Sequence, residues 1–449
     1  MTSPPTERPA GRPPADAWTR LRLWSVPGMR VKRFVAVAIV GAVALVAGVV
    51  AGALWLLADA RSEVAAPIER VLTGGAWRRY GGWASAGVAL LGAVVTVRAI
   101  LGLNRSLLSH WLPRPKDAAE LLHTRLRLSR GPRIVAFGGG TGLSTLLRGL
   151  RQGSSNLTAV VTVADDGGSS GRLRDAFGMP APGDLSDCLA ALSDDELEVG
   201  RLMAYRFERG DPLAGHTFGN LLITTLTEVE GDLARATRVL NGMLNLSGAV
   251  WPATTTPVTL RARKADGWVE GESALREVPG PVEALSVAPE APRTPEEVRA
   301  AVRDADLIVL GPGSLFTSVV APLLVPGVRD ALRTTRAPVV YVANIMTEAG
   351  ETDGMDAFAH TEALARHVGR WPDVVLANDA PLDEARRNAY RGEAAVPVDV
   401  DPARFAGAGV TLQRAALLGA GPYAQHDPDA TAEHLLAFAR QVARREVAA

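Results

Sequence analysis

The stretch PRIVAFGGGTG, residues 132–142, decides how the chain reads. An apolar run, Ile134 to Phe137, stops at Gly138, and the loop Gly138-Gly139-Gly140-Thr141-Gly142 opens into LSTLLRGLR, whose spacing predicts a helix over Leu143–Arg151. Strand, glycine turn and helix in that order begin a parallel βαβ unit. The same sentence recurs downstream: LTAVVTVA runs into Asp165-Asp166-Gly167-Gly168, DLIVLG into Pro312-Gly313-Ser314, APVVYVAN into Ile345-Met346-Thr347, and DVVLAN into Asp379. The pattern predicts an α/β, Rossmann-like fold over residues 131–449, with a mostly parallel sheet and helices on both faces. Ligands of such sheets bind in the crevice beyond the carboxyl ends of the strands. The residues that end these runs therefore converge on one rim.

The first loop is not a dinucleotide fingerprint, because a G-x-G-x-x-G frame starting at Gly138 puts Leu143 where the third glycine belongs. No G-x-x-x-x-G-K-[ST] occurs either. A glycine loop at a helix start still offers unpaired amides and the positive end of a helix dipole to an anion. It reads as a phosphate-contacting loop or as a plain tight turn. At the second rim position, Asp165 and Asp166 would repel one another without a cation, hydroxyls or an arginine beside them. One could accept from sugar hydroxyls while the other holds a magnesium ion attached to a diphosphate. Gly168 allows close backbone approach, Ser169 and Ser170 supply hydroxyls, and Arg172 and Arg174 follow. The plainer alternative is a solvated turn neutralised by those arginines. Further rim candidates are His216, Asn220, Gly313, Ser314 and Asn344, each also readable as a turn or cap residue. Asp184 would cap a helix Leu185–Leu192 or face the ligand. Ser193 with Glu196 reads as a capping box, and Thr294-Pro295-Glu296-Glu297 as an N-cap followed by a helical proline. Residues near 250–290 contain TTTPVTLRARKADGWVEGES, a β-hairpin turning at Asp266-Gly267 inside an insertion.

Composition limits the rest. The 449 residues carry 48 basic and 48 acidic side chains, so no charge surplus invites nucleic acid. A single cysteine, Cys188, excludes internal disulfides, and the 7 histidines show no HExxH spacing. The apolar excess is concentrated near the start. Phe34 to Ala58 contains no charge and Tyr80 to Asn104 only Arg98. Each exceeds the ~20 residues that cross a bilayer core. The first is too long for the apolar region of a signal peptide. Trp55, Trp77, Tyr80, Trp83 and Trp111 sit near the ends, as interfacial aromatics do. We therefore expect a disordered basic segment over 1–30, a transmembrane hairpin within 31–104 and a basic linker over 105–130. Arginines and lysines before the first span and after the second put both termini, and the large domain, in the cytoplasm as part of a multi-pass membrane protein.

Six blocks in fixed order, GGGTGLSTLLRGLR, VTVADDGGSSGRLRD, PGDLSDCLAALSDDE, LAGHTFGNLLITTLTE, DLIVLGPGSLFTSV and YVANIMTEAGET, resemble the YvcK family, the gluconeogenesis factors, within the CofD-like superfamily that includes 2-phospho-L-lactate transferase. The match runs over about residues 131–380. The resemblance implies a nucleotide-linked ligand, with UDP-N-acetylglucosamine and related UDP-sugars as ligands rather than cofactors. It also implies a regulatory role in cell-wall precursor supply and cell shape on gluconeogenic carbon, and so a cell-wall synthesis partner. The transferase branch would instead imply magnesium-dependent transfer of a phosphate-containing group. Three positions depart from the family pattern: Ser186 replaces an arginine, Phe316 a tyrosine, and Glu348-Ala349 a Gln-Pro pair.

Overall fold

The computed structural model describes residues 31–59, 75–108 and 118–448, so the expectations for 1–30, for the loop between the spans and for Trp111 lie outside it. The chain divides into two units, residues 1–123 and 124–449.

The first unit is a pair of helices, α1 (Val31–Asp59) and α2 (Gly75–Leu108). Within them, Arg33–Leu57 and Arg79–Asn104 are long and apolar enough to cross a membrane. Backbones meet where side chains are missing: a Cβ on Gly48 would stand 2.4 Å from the Ala89 nitrogen, and one on Gly92 2.3 Å from the Leu45 nitrogen. Close approach at small residues is how helices associate where the hydrophobic effect is weak. The hydroxyls of Ser85 and Thr96 donate to the Gly82 and Gly92 carbonyls at 3.0 and 2.8 Å, so neither is left bare. The outward faces carry exposed valines and leucines, Val40 and Leu90 among them.

The second unit is built on a seven-stranded sheet. Its strands are β1 (Ile134–Gly138), β2 (Leu157–Val161), β3 (Ala249–Pro252), β7 (Leu307–Leu310), β8 (Val339–Val342), β9 (Val374–Asn378) and β10 (Thr411–Ala415). All pairings are parallel, in the order β10-β9-β8-β7-β1-β2-β3. Every residue of β1, β7 and β8 is buried, as expected of strands covered on both faces. The Rossmann-like reading is borne out. The chain runs outward from β1 through β2 and β3, then returns to the other side of β1 at β7. That reversal is the topological switch point, where the crevice of an open α/β sheet lies.

The helices that matter for the crevice are α3 (Gly140–Leu150), α4 (Gly168–Phe177), α5 (Gly183–Leu192), α6 (Phe218–Glu230) and α7 (Glu272–Glu277). Helix α3 starts at Gly140 rather than Leu143, because Gly139 is extended and Gly140 already turns into the helix with φ +53°. Thr141 and Gly142 therefore belong to its first turn.

The insertion is a separate antiparallel sheet of β4 (Thr259–Lys264), β5 (Gly267–Glu270) and β6 (Ala284–Ala288), ordered β5-β4-β6. It begins beyond β3, whose residues 250–252 belong to the main sheet although they fall in the segment read as insertion. Lys264 pairs with Gly267, so Ala265 and Asp266 form the turn, one residue earlier than the sequence suggested. Two cap assignments also change. The helix at Glu196 is capped by Asp195, which accepts from the Glu198 amide, while the Ser193 hydroxyl donates to the Leu244 carbonyl. The helix Glu296–Asp304 follows Pro295 without a side-chain cap, and the buried Thr294 hydroxyl has no partner among the described residues.

Candidate functional site

A cavity of about 470 Å³ opens at the switch point. One wall is the first turn of α3 with the Pro312-Gly313-Ser314 turn after β7; the opposite wall is the Asn344–Ala349 segment after β8. Tyr390, Glu393 and Ala424–His426 close it from the C-terminal region, and Arg276 reaches in from α7. The two glycine turns touch: a Cβ on Gly142 would stand 2.5 Å from the Pro312 oxygen and 3.0 Å from Gly313 Cα. The amides of Thr141 and Gly142 fall among the first N–H groups of α3, which have no partner within the helix. Arg276, whose guanidinium pairs with Glu272 at 2.7 Å, also lines the cavity. Backbone donors and a fixed cation together suit a phosphate or diphosphate.

Two buried polar atoms of lining residues have no hydrogen-bond partner among the described residues, Asn344 Oδ1 and His426 Nε2. Burial pushes the His426 pKa down to about 4, so the ring is neutral at pH 7. Buried polar atoms without partners are uncommon in native structures, and a bound ligand is one way of satisfying them.

The structure sorts the predicted site residues into four places. Thr141, Gly142, Gly313, Ser314 and Asn344 line the cavity. Gly138, Gly139 and Gly140 do not line it: Gly139 and Gly140 face Asp184, whose carboxylate would stand 2.2 Å from a Cβ on Gly139, and Gly138 packs against Leu143. Asp184 does not cap its own helix, which begins at Gly183 with Pro182 before it. It accepts instead from the Gly140 amide, at the start of α3. Burial, with the charges of Asp165 and Asp187, pushes its pKa up to about 7.

The third group is a buried network. The Ser169 hydroxyl lies 3.0 Å from His216 Nδ1, and Asn220 Nδ2 donates to the hydroxyls of Ser169 and Ser170 at 3.1 and 3.3 Å. All four residues are buried, so they brace the start of α4, which begins at Gly168 with φ +51°, rather than line the cavity. His216 does not cap α6; Thr217 does, accepting from the Asn220 amide. Burial, helped by Arg172 and Arg206, lowers the His216 pKa.

The adjacent aspartates part company. Asp165 accepts from the Gly167 amide at 2.9 Å and faces Asp184 and Arg276 electrostatically. Asp166 turns to the insertion and accepts from the Ser273 amide and hydroxyl at 2.9 and 2.6 Å. Neither is neutralised by the arginines that follow: Arg172 donates to the Ala214 carbonyl, and Arg174 to the Ala164 and Val258 carbonyls and the Thr259 hydroxyl. Since the two carboxylates are committed to different elements, they do not fit one magnesium ion as a pair. Among the described residues no group of three or more His, Cys, Asp or Glu side chains is arranged to hold a metal.

Arg276 was not singled out in the sequence, although it gathers the local charges. It pairs with Glu272 at 2.7 Å and approaches Glu351 at 3.6 Å. Burial, with the charges of Asp165, Asp184 and Glu351, raises the Glu272 pKa to about 8 despite Arg276. Asp165, Asp184, Glu272, Glu348 and Glu351 thus surround a single arginine. Lys264 locks this wall in place: its buried ammonium donates to the carbonyls of Leu275, Val278 and Gly350, tying α7 to the loop that carries Glu348 and Glu351.

Residues 134–418 match the family model described as 2-phospho-L-lactate transferase CofD. A Bacillus subtilis protein named gluconeogenesis factor is 42% identical over 276 residues, 61% of this chain and 87% of that one. A Deinococcus radiodurans relative is 45% identical over 437 residues, 95% of this chain and 91% of its own length. The chain belongs to the gluconeogenesis factor (YvcK) family, within the CofD-like superfamily. The Deinococcus alignment is long enough to take in both apolar helices. A crystal structure of a Bacillus halodurans protein covers 68% of this chain and 100% of its own at TM-score 0.66 and 40% identity. Relatives thus share the second unit, and at least one shares the first.

Proposed function

We propose that the chain is a nucleotide-sugar sensor: a Rossmann-like domain that binds a UDP-sugar of the UDP-N-acetylglucosamine type in the switch-point cavity and regulates the supply of cell-wall precursors during gluconeogenic growth. The observation that carries the reading is the cavity itself. Phosphate-suited amides and Arg276 line it, together with Asn344 and His426, whose Oδ1 and Nε2 have no partner among the described residues. A diphosphate meets the first set, and the sugar or base supplies hydroxyl and amide groups for the second. The name carried by the relatives supports the link to gluconeogenic growth. The two apolar helices would hold the domain on the inner face of the cytoplasmic membrane, with both termini in the cytoplasm, near a protein partner in wall synthesis.

One observation favours a second reading. The matching family model is described as a transferase, and phosphoryl-type transfer proceeds mostly by positioning and charge neutralisation, which this cleft offers. Calorimetry of the full chain in detergent against UDP-N-acetylglucosamine, UDP-glucose, GDP and NAD separates the readings. Saturable UDP-sugar binding, with the sugar nucleotide recovered intact after incubation with magnesium, supports the sensor. Consumption of a nucleotide-linked donor establishes the transferase, and binding of NAD alone refutes both.

A further inference from the structure

Glu348 occupies a position that a simple anion site would not provide. It lines the cavity beside Ser314, one of the residues expected to meet a phosphate. Its own amide donates to the Thr352 hydroxyl at 2.8 Å, so the loop that carries it is fixed. The side chain accepts from Ser314 and from Asn344 Nδ2, the latter at 3.3 Å. Three residues on lies Glu351, wholly buried, accepting from the Phe316 amide at 3.3 Å and the Thr317 hydroxyl at 3.0 Å.

The Glu351 charge bears on Glu348, and two carboxyls that feel one another do not both ionise easily. Burial raises the pKa of both, and their contacts decide which keeps the charge. Glu351 is held by an amide and a hydroxyl donor with Arg276 at 3.6 Å, an acceptor's environment. Glu348 has the Ser314 hydroxyl and Asn344 Nδ2 as donors and lines the cavity. Burial and the Glu351 charge raise its pKa, against Ser314 and Arg276. The other titratable groups around it are Tyr341 within β8 and Tyr390, Glu393 and His426, which line the same cavity, and none of these adds a cation at neutral pH.

We propose that Glu348 contacts the bound ligand as a neutral carboxylic acid, a specificity-determining donor, so that filling the cavity with an anionic nucleotide sugar takes up a proton. The inference rests on the nucleotide-sugar reading above. Ionised, Glu348 repels a diphosphate at Ser314; protonated, it donates to a ligand oxygen. A neutral or cationic ligand of the same size gains nothing from that proton.

The test is calorimetry of the full chain in detergent with UDP-N-acetylglucosamine, from pH 6 to 9, in buffers of different ionisation enthalpy. The wild type takes up close to one proton above pH 8, and its affinity falls by up to roughly tenfold per pH unit on the alkaline side. Glu348→Gln, which keeps the neutral shape, binds at pH 8.5 at least as tightly as the wild type and shows neither the uptake nor the slope. Wild-type affinity flat across the range overturns the proposal without any variant. Uptake persisting in a folded Glu348→Gln overturns it as well and assigns the proton to another group, such as Asp184 or Glu272. No binding at any pH overturns this inference together with the nucleotide-sugar reading, whereas binding without Glu348-dependent uptake overturns only this inference.

Discussion

Gly142→Ala puts a single methyl group into the seam between the two glycine turns. Its carbon would stand 2.5 Å from the Pro312 oxygen, 2.9 Å from the Pro312 carbonyl carbon and 3.0 Å from Gly313 Cα, all backbone atoms that cannot rotate aside. Non-bonded contacts of this kind settle near ~3.5 Å, so the seam must open by roughly 1 Å. Overpacking of that size costs about 1–3 kcal/mol. At about 2–4 °C per kcal/mol for a domain of this scale, the melting temperature should fall by roughly 2–12 °C. Opening the seam also separates the α3 amides from the Gly313-Ser314 turn. Losing one hydrogen bond to a charged ligand group costs about 1.5–3 kcal/mol, or roughly tenfold to over a hundredfold in affinity. Gly200→Ala is the control, since no atom lies within 4 Å of where its methyl would stand in the helix Glu196–Met203. It should leave affinity unchanged and stability equal or slightly higher. Intrinsic fluorescence melts and UDP-N-acetylglucosamine titrations of both variants in detergent provide the readout. Wild-type melting and affinity in Gly142→Ala would refute the claim that these turns form one rigid anion cradle.

Lys264→Met leaves the carbonyls of Leu275, Val278 and Gly350 without their shared donor, and urea denaturation should show a loss on the order of 3 kcal/mol or more. Asp166→Asn can still accept from Ser273, so affinity should stay within about twofold while stability drops slightly; a tenfold loss of affinity would return Asp166 to the ligand. Asp184 and Glu272 have pKa values raised to about 7 and about 8, so the ligand-free folded state holds more protons than the unfolded chain above pH 4. The stability they contribute at low pH is therefore lost as pH rises through those values, and denaturation midpoints should fall between pH 5.5 and 8.5, less so in Asp184→Asn. The full chain should stay with membranes through carbonate extraction, and release into the supernatant would contradict a spanning hairpin.

The sheet could be read from the sequence because buried parallel strands must be continuous apolar runs, and each of IVAF, LTAVV, LIVL and VVYV leads within a few residues to a glycine, asparagine or aspartate that has no place inside a strand. The hairpin showed itself for a related reason, since a bilayer requires a long uncharged stretch. Polar partnerships were much harder to read. Asp165 and Asp166 are neighbours in sequence, yet one accepts from the Gly167 amide of its own turn and the other holds the start of a helix more than a hundred residues away through Ser273. Ser169, His216 and Asn220 carried the right chemistry for ligand contact, but they satisfy one another out of solvent. Arg276 sat in a segment read only as an insertion, and no local pattern announces that its helix folds back over the crevice. The Tyr390–His426 wall lies beyond the last recognised block, and its residues follow no periodicity that sequence reasoning can use. Glu348 was visible as a departure from the family pattern; its proximity to Glu351 and Ser314 became apparent only from the fold.

A crystal structure of the chain with UDP-N-acetylglucosamine tests the central claim most directly. The account predicts diphosphate density within hydrogen-bond reach of the Thr141 and Gly142 amides, Ser314 and Arg276, with the rest of the ligand against Asn344 and His426. Density at any other place on the molecule, or an empty cavity at saturating ligand, would contradict it.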